Sequence, residues 1–266
     1  MNTALERTAG LAPMPDEADL ERRFGGLRRL YGGAAYERLR AARFAVVGLG
    51  GVGSWTVEAL ARMGVARLVL IDMDHVAESN INRQVQALTS TLGMAKAEAL
   101  RRRVLEIHPG CEVLTVEEFV EPDNWPALLG DTAIDGLVDA CDQVRAKAAL
   151  AAWALARRPS FVCVGAAGGK QRPQAVELDD LAATTHDPLL ASLRQRLRKF
   201  HGAARAGRIG LGCVFSRESV QRPAESCELD GSLNCHGYGS SVAVTAAFGM
   251  CAAAELVRQH LARATA

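Results

Sequence analysis

Apolar and polar positions between residues 43 and 165 alternate between two periods. Short apolar runs at 43–47 (RFAVV), 67–71 (RLVLI), 112–116, 133–139 and 161–165 predict strands bounded by polar or glycine-containing turns. Between them, apolar residues recur at helical spacing over 54–63, 94–107 and 143–157, with a shorter stretch at 125–129. Gly64 stands where a left-handed cap closes the first of these helices, and Pro109 ends the second. Short apolar strands separated by helices predict an α/β fold, a doubly wound and mostly parallel sheet covered on both faces.

The flanks are patterned differently. Residues 1–15 carry Pro13 and Pro15 with little periodicity and are expected to fray. Residues 16–39 alternate apolar and charged positions, broken by the pairs Gly25-Gly26 and Gly32-Gly33, which fits two short helices with a bend better than one helix. After 174–178, a further candidate strand, come a basic helix at 187–200, a glycine-rich loop and strand at 205–222, and a loop at 223–237. A final helix is expected over 238–264. Its first part has no charge between 237 and 254, nearly a membrane-crossing length. Its Ala, Gly, Ser, Val and Thr content favours a buried or interface helix, so a membrane partner is not expected. The pattern divides the chain into an N-terminal helical segment (1–42), a sheet-building domain (43–180) and a C-terminal extension (181–266).

Composition narrows the class. With 266 residues, 49% of them apolar, and a net charge of +1, the chain can bury a large core and is not a disordered polyelectrolyte. Only four of its 31 basic residues are lysines: Lys96, Lys147, Lys170 and Lys199. Seven widely spaced cysteines form no CxxC pair, which argues against a zinc ribbon or a thioredoxin-type motif and suits a reducing cytoplasm. No basic-then-apolar signal pattern opens the chain, so a cytoplasmic location is expected. His186, His201 and His236 have no metal-ligand spacing.

The candidate chemistry begins at Gly48-Leu49-Gly50-Gly51-Val52-Gly53, a G-x-G-x-x-G turn between a predicted strand and helix. Glycines there let the backbone approach a phosphate, and the helix N-terminus supplies free N–H groups; the motif alone does not separate NAD, FAD and ATP. Asp72 ends the next strand, where a carboxylate either holds ribose hydroxyls or caps a turn; Asp74 lies beside it. Beyond that strand, Asn80, Arg83 and Lys96 gather polar and positive groups. A hydride-transferring enzyme has no need of such charge, whereas an enzyme expelling pyrophosphate must neutralise it. Asp142, at the mouth of the fourth predicted strand, is either a hard oxygen ligand for Mg²⁺ on those phosphates or an N-cap for the helix at 143.

Together, GLGGVGSW (48–55), EALARMGV (58–65), LIDMDHV (70–76), NINRQ (80–84), GMAKAE (93–98) and DACDQVRAK (139–147) resemble the E1-like (ThiF/MoeB) adenylating superfamily. RFGGLRRLYG (23–32), FVEPDN (119–124), GAAGGK (165–170), DPLLASLRQRLR (187–198) and CVFS (213–216) resemble its tRNA threonylcarbamoyladenosine dehydratase branch. The resemblance implies that 43–180 is a Rossmann-like ATP-binding domain. It implies ATP-dependent cyclisation of N6-threonylcarbamoyladenosine at position 37 of tRNA, by adenylation of its carboxylate with release of pyrophosphate and then AMP. Gly48, Gly50, Gly51, Gly53, Asp72, Asp74, Asn80, Arg83 and Lys96 would hold ATP, Asp142 would bind Mg²⁺, and the protein would be a homodimer. The paired CxxC of MoeB-type members is absent, and the position of their trans-acting arginine falls near Gly26, with Arg23, Arg28 and Arg29 as its possible substitutes.

Cys235 is either a nucleophile, in line with this branch's link to cysteine desulfurases as sulfur-transfer partners, or a small packing residue at a helix entry. Arg194, Arg196, Arg198, Lys199, Arg205 and Arg208 form either an RNA-phosphate footprint or a solvated basic face. Rival functions are an adenylyltransferase for a ubiquitin-like sulfur carrier, an NAD or FAD oxidoreductase, and a nucleotide-binding adaptor.

Overall fold

The computed structural model describes residues 18–220 and 238–263. Five strands, β1 (Arg43–Val47), β2 (Arg67–Ile71), β3 (Glu112–Val116), β4 (Gly136–Asp139) and β5 (Ser160–Val164), lie parallel, and β6 (Val176–Asp180) and β7 (Gly212–Ser216) complete one sheet. Its order is β3-β2-β1-β4-β5-β7-β6. β7 continues the parallel set beside β5, and only the edge strand β6 runs antiparallel. The sheet therefore crosses the boundary expected at 180/181, since β7 pairs with strands from the other side of it.

Alternate residues of each strand face opposite layers. Phe44, Val46, Leu68, Leu70 and Val138 pack with α3 (Gly53–Arg62), α4 (Lys96–Ile107) and α7 (Val242–Arg263) on one face. Ala45, Val47, Val69, Leu137 and Phe161 meet α5 (Val144–Arg157) and α6 (Pro188–Phe200) on the other. α7 is long and apolar enough to cross a membrane, yet Val244, Phe248, Ala252, Leu256 and Val257 are buried in the fold. Its apolar length serves the core, where each large side chain contributes about 1.5–3 kcal/mol.

Ahead of the sheet, α1 (Leu20–Tyr31) and α2 (Gly33–Ala41) meet at Gly32, whose φ of +83° is costly for any other residue. The two short helices expected here are thus present and bend at Gly32, while the Gly25-Gly26 pair makes no break, because α1 continues through it. Two helical glycines cost about 1 kcal/mol each. Here the Asp19 cap and buried Phe24, edge-on to His108 at 4.9 Å, outweigh that cost.

Candidate active site

β1 and β4 are neighbours whose chains continue to opposite sides of the sheet, so a crevice opens at their carboxyl ends. The glycine turn after β1 fills its floor. Gly48 has φ +83°, and a Cβ there would stand 2.8 Å from the Ala140 carbonyl. At Gly53 a Cβ would overlap the Gly48 carbonyl oxygen. Gly51 lies beneath the aliphatic stem of Arg83 and beside Thr245 of α7, and Gly50 is open toward Gln84.

Asp72 closes one side of the turn. Its Oδ2 accepts from the Leu49 N–H at 2.6 Å and its Oδ1 from the Asp74 N–H at 2.8 Å. Burial raises its carboxyl above the ordinary range, against the pull of the Lys96 charge and those two donors. Lys96 opens α4 and is buried, with Nζ 2.7 Å from Asp74 Oδ2, while its own N–H donates to the Asp74 carbonyl. Ordered by its own bonds, Asn80 ends the short turn Glu78–Asn80 and accepts from the Ala77 N–H at 3.0 Å. Arg83 Nη1 donates to the Ser79 carbonyl at 2.6 Å, and the Arg83 carbonyl accepts from the Trp55 indole at 2.9 Å.

The two readings of Asp142 part here. The N-cap of α5 is Gln143, so Asp142 does not cap that helix. Its carboxylate is exposed and free of hydrogen bonds to described residues, as a carboxylate open to a cation on bound phosphates would be. Among the described residues no group of three His, Cys, Asp or Glu side chains forms a complete metal cage. A site completed by phosphates and water suits Mg²⁺, which takes only one or two carboxylates in such enzymes. Cys235 lies outside the described residues.

Several supporting residues escaped the sequence reading. Gln86 is buried and donates to the Leu49 carbonyl at 2.9 Å, holding the glycine turn from below. Lys147 and Asp139 form a wholly buried ion pair at 3.0 Å behind β4. Charge within the apolar strand end LVD was the available signal for that pair. A surface cleft of about 650 Å³ lies elsewhere, between α1, α4 and residues 86–91. Glycine geometry and converging charges, rather than volume, define the site.

The basic cluster does not join it. Asp187, the N-cap of α6, accepts from the Ala166 N–H just beyond β5, so α6 starts at the active-site edge. The loop after α6 leads to the start of β7, where Ile209 and Gly210 donate to Asp180. Over 13 residues α6 spans about 20 Å, placing Arg205 and Arg208 at the opposite edge of the sheet. Arg194 is turned inward onto the Leu181 and Thr184 carbonyls at 3.0 and 2.9 Å, and Arg198 binds the Ala204 carbonyl at 3.0 Å. Arg196 and Lys199 flank the exposed Phe200 ring at 5.2 and 5.0 Å.

A glycine turn at a strand–helix junction, with the Asp72 carboxylate and the Lys96–Asp74 pair beside it, is the arrangement of a nucleotide-binding α/β protein of the doubly wound type. The chain belongs to the ThiF family, whose model matches residues 23–265. It is similar to the tRNA threonylcarbamoyladenosine dehydratase of Escherichia coli, 40% identical over 254 residues, covering 91% of this chain and 94% of that one. Crystal structures of the E. coli dehydratase, TcdA, with ATP and with AMP each superpose with a TM-score of 0.85 at 40% identity, covering 93% of this chain and 98% of that one.

Proposed function

We infer that the chain is an ATP-dependent tRNA threonylcarbamoyladenosine dehydratase acting by carboxylate adenylation. The observation that carries this reading is one sheet edge joining the glycine turn, Asp72, the Lys96–Asp74 pair, Arg83 and the exposed Asp142. That edge belongs to a chain so widely similar to a dehydratase solved with both ATP and AMP.

In this reading the α3 N-terminus and the glycine amides receive phosphate, and Asp72 exchanges its Leu49 contact for the ribose. Arg83 and Lys96 offset the charge that develops as pyrophosphate leaves. Asp142 would hold Mg²⁺, which neutralises phosphate oxygens when bound. The threonyl carboxylate attacks the α-phosphorus, forming an acyl adenylate and releasing pyrophosphate. The neighbouring carbamoyl group then attacks the acyl carbon, closing the ring, losing a proton and expelling AMP. This ring closure is complete without a thiol. A Cys235→Ala protein with full turnover removes the thioester route, and one that still forms the adenylate without closing the ring supports it.

The enzyme works in the cytoplasm as a homodimer in this proposal. Of the three candidate trans-acting arginines, Arg23 is tied to the Ile107 carbonyl at 2.7 Å and Arg28 to Glu37 at 2.9 Å. Exposed Arg29 bonds no described residue and adjoins Leu30, which is 71% exposed. Arg29 is thus the candidate to reach a second copy. RNA phosphates would meet Arg205 and Arg208 away from the reacting nucleoside, and a sulfur-transfer partner remains a separate binding assay.

The deciding experiment incubates the protein with ATP, Mg²⁺ and threonylcarbamoylated tRNA, followed by nucleoside mass spectrometry. Loss of one water from the modified base with equimolar AMP is expected. ATP–pyrophosphate exchange stimulated only by a Gly-Gly-tailed protein would point to a sulfur carrier instead. Stabilisation by NAD or FAD but not ATP would point to an oxidoreductase, and ATP binding without AMP to an adaptor.

A further inference from the structure

Lys147 is wholly buried near the start of α5, yet three oxygens accept from its ammonium. They are Asp139 Oδ1 at 3.0 Å, the Asp139 carbonyl at 3.3 Å and the Cys141 carbonyl at 2.9 Å. The Cys141 N–H and Sγ return to Asp139 Oδ1 at 3.3 and 3.0 Å. One cation therefore grips the main chain on both sides of Ala140.

Ala140 is where the nucleotide turn rests. Its N–H donates to the Val47 carbonyl at 2.8 Å, closing β4 onto the end of β1. Its backbone lies so near Gly48 that no side chain fits between them, and its Cβ abuts Gly53. The next residue but one is Asp142. The gripped segment thus has the glycine turn on one side and the candidate metal carboxylate on the other.

Stability does not call for this arrangement. Apolar residues of similar volume often replace a buried ion pair without loss, because desolvation offsets much of the Coulomb attraction. What an ammonium supplies and a methyl group cannot is three directed hydrogen bonds to chosen oxygens. Burial pulls Lys147 toward its neutral form, but the Asp139 charge, the neighbouring Cys163 and Cys141 and the hydrogen bond to Asp139 together leave the amine raised above the ordinary lysine value, so the grip stays charged.

We propose that Lys147 is a positioning residue for adenylation. It sets the 139–141 turn in advance, so that the glycine turn seats ATP and Asp142 faces its phosphates. This deepens the proposed function and rests on that reading of the sheet edge.

The test is the double variant Lys147→Met with Asp139→Asn, which removes both buried charges with little change of volume. The expected protein melts cooperatively near the parent temperature. Its stabilisation by ATP without metal is sharply reduced, its KM for ATP rises about ten-fold or more, and half-maximal AMP formation needs more Mg²⁺. A folded double variant that binds ATP and turns over like the parent overturns the proposal. Hydrogen exchange on the unaltered protein without ATP is the second measurement. Slow exchange at Ala140 and Cys141 is expected, and exchange as fast as an open loop overturns the proposal even where the double variant fails to fold. If the unaltered protein neither binds ATP nor forms AMP, the functional reading fails, whereas a slow-exchanging turn still stands.

Discussion

Lys96 Nζ and Asp74 Oδ2 are 2.7 Å apart, and Lys96 is held almost entirely out of solvent. The cation expected on the phosphates thus has an anionic partner before nucleotide arrives. ATP entry must redistribute that charge, and the two residues will behave as one unit under mutation.

Replacing Lys96 with methionine keeps the aliphatic stem and removes the charge. AMP formation should fall about 100-fold or more, the scale for deleting one preorganised contact to a developing charge. Pyrophosphate release measured with threonylcarbamoylated tRNA checks this. A variant retaining half the parent rate would remove Lys96 from the phosphate site.

Asp142 presents the opposite case, an exposed carboxylate with no bond to described residues. Asp142→Ala should shift stability by no more than about 0.5 kcal/mol while AMP formation is lost. Thermal melting and activity measured on one preparation separate the two effects. Full activity would leave the carboxylate without a role in the chemistry.

A pH effect is expected at His108. Its Nε2 lies 3.2 Å from Arg40 Nη1, and because arginine only donates, the ring is neutral with its proton on Nδ1. Burial, then the charges of Arg40 and Arg23, lower its pKa from 6.5 to about 4. The unfolded chain therefore binds more protons between those values. This stability contribution is complete above pH 6.5 and is lost as pH falls toward 4, on the order of 3 kcal/mol in all. His108→Gln should flatten the fall in melting temperature across that window, and an unchanged slope would exclude His108 as its source.

The basic segment should divide by function. Arg194→Ala removes an inward contact to two carbonyls and should cost about 1–3 kcal/mol of stability, with little effect on RNA affinity. Arg205→Ala with Arg208→Ala should leave melting nearly unchanged, weaken tRNA binding and flatten its salt dependence. Filter binding across a salt series reads both. An identical salt slope in the double variant would return these arginines to a solvated face.

Much of this architecture is visible in one dimension because it follows from local physics. The short apolar runs at 43–47 and 67–71 become β1 and β2, as strands buried on both faces must be nearly all apolar. Gly48 and Gly53 mark the nucleotide turn because no other residue fits those backbone contacts. Other outcomes required the packed molecule. Gly25-Gly26 looked like a helix break, and only the burial of Phe24 against His108 shows why α1 continues. Residues 194–208 looked like one basic patch, but the direction of α6 and the inward turn of Arg194 separate its members from one another and from the active site. Lys147 stands in the sequence only as one lysine of four, and its partner Asp139 is fixed where the fold sets the end of β4 beside α5. Periodicity and glycine sterics act between near neighbours and are written along the chain. The partner of a charge depends on which distant segments the fold brings together, and that is settled only in three dimensions.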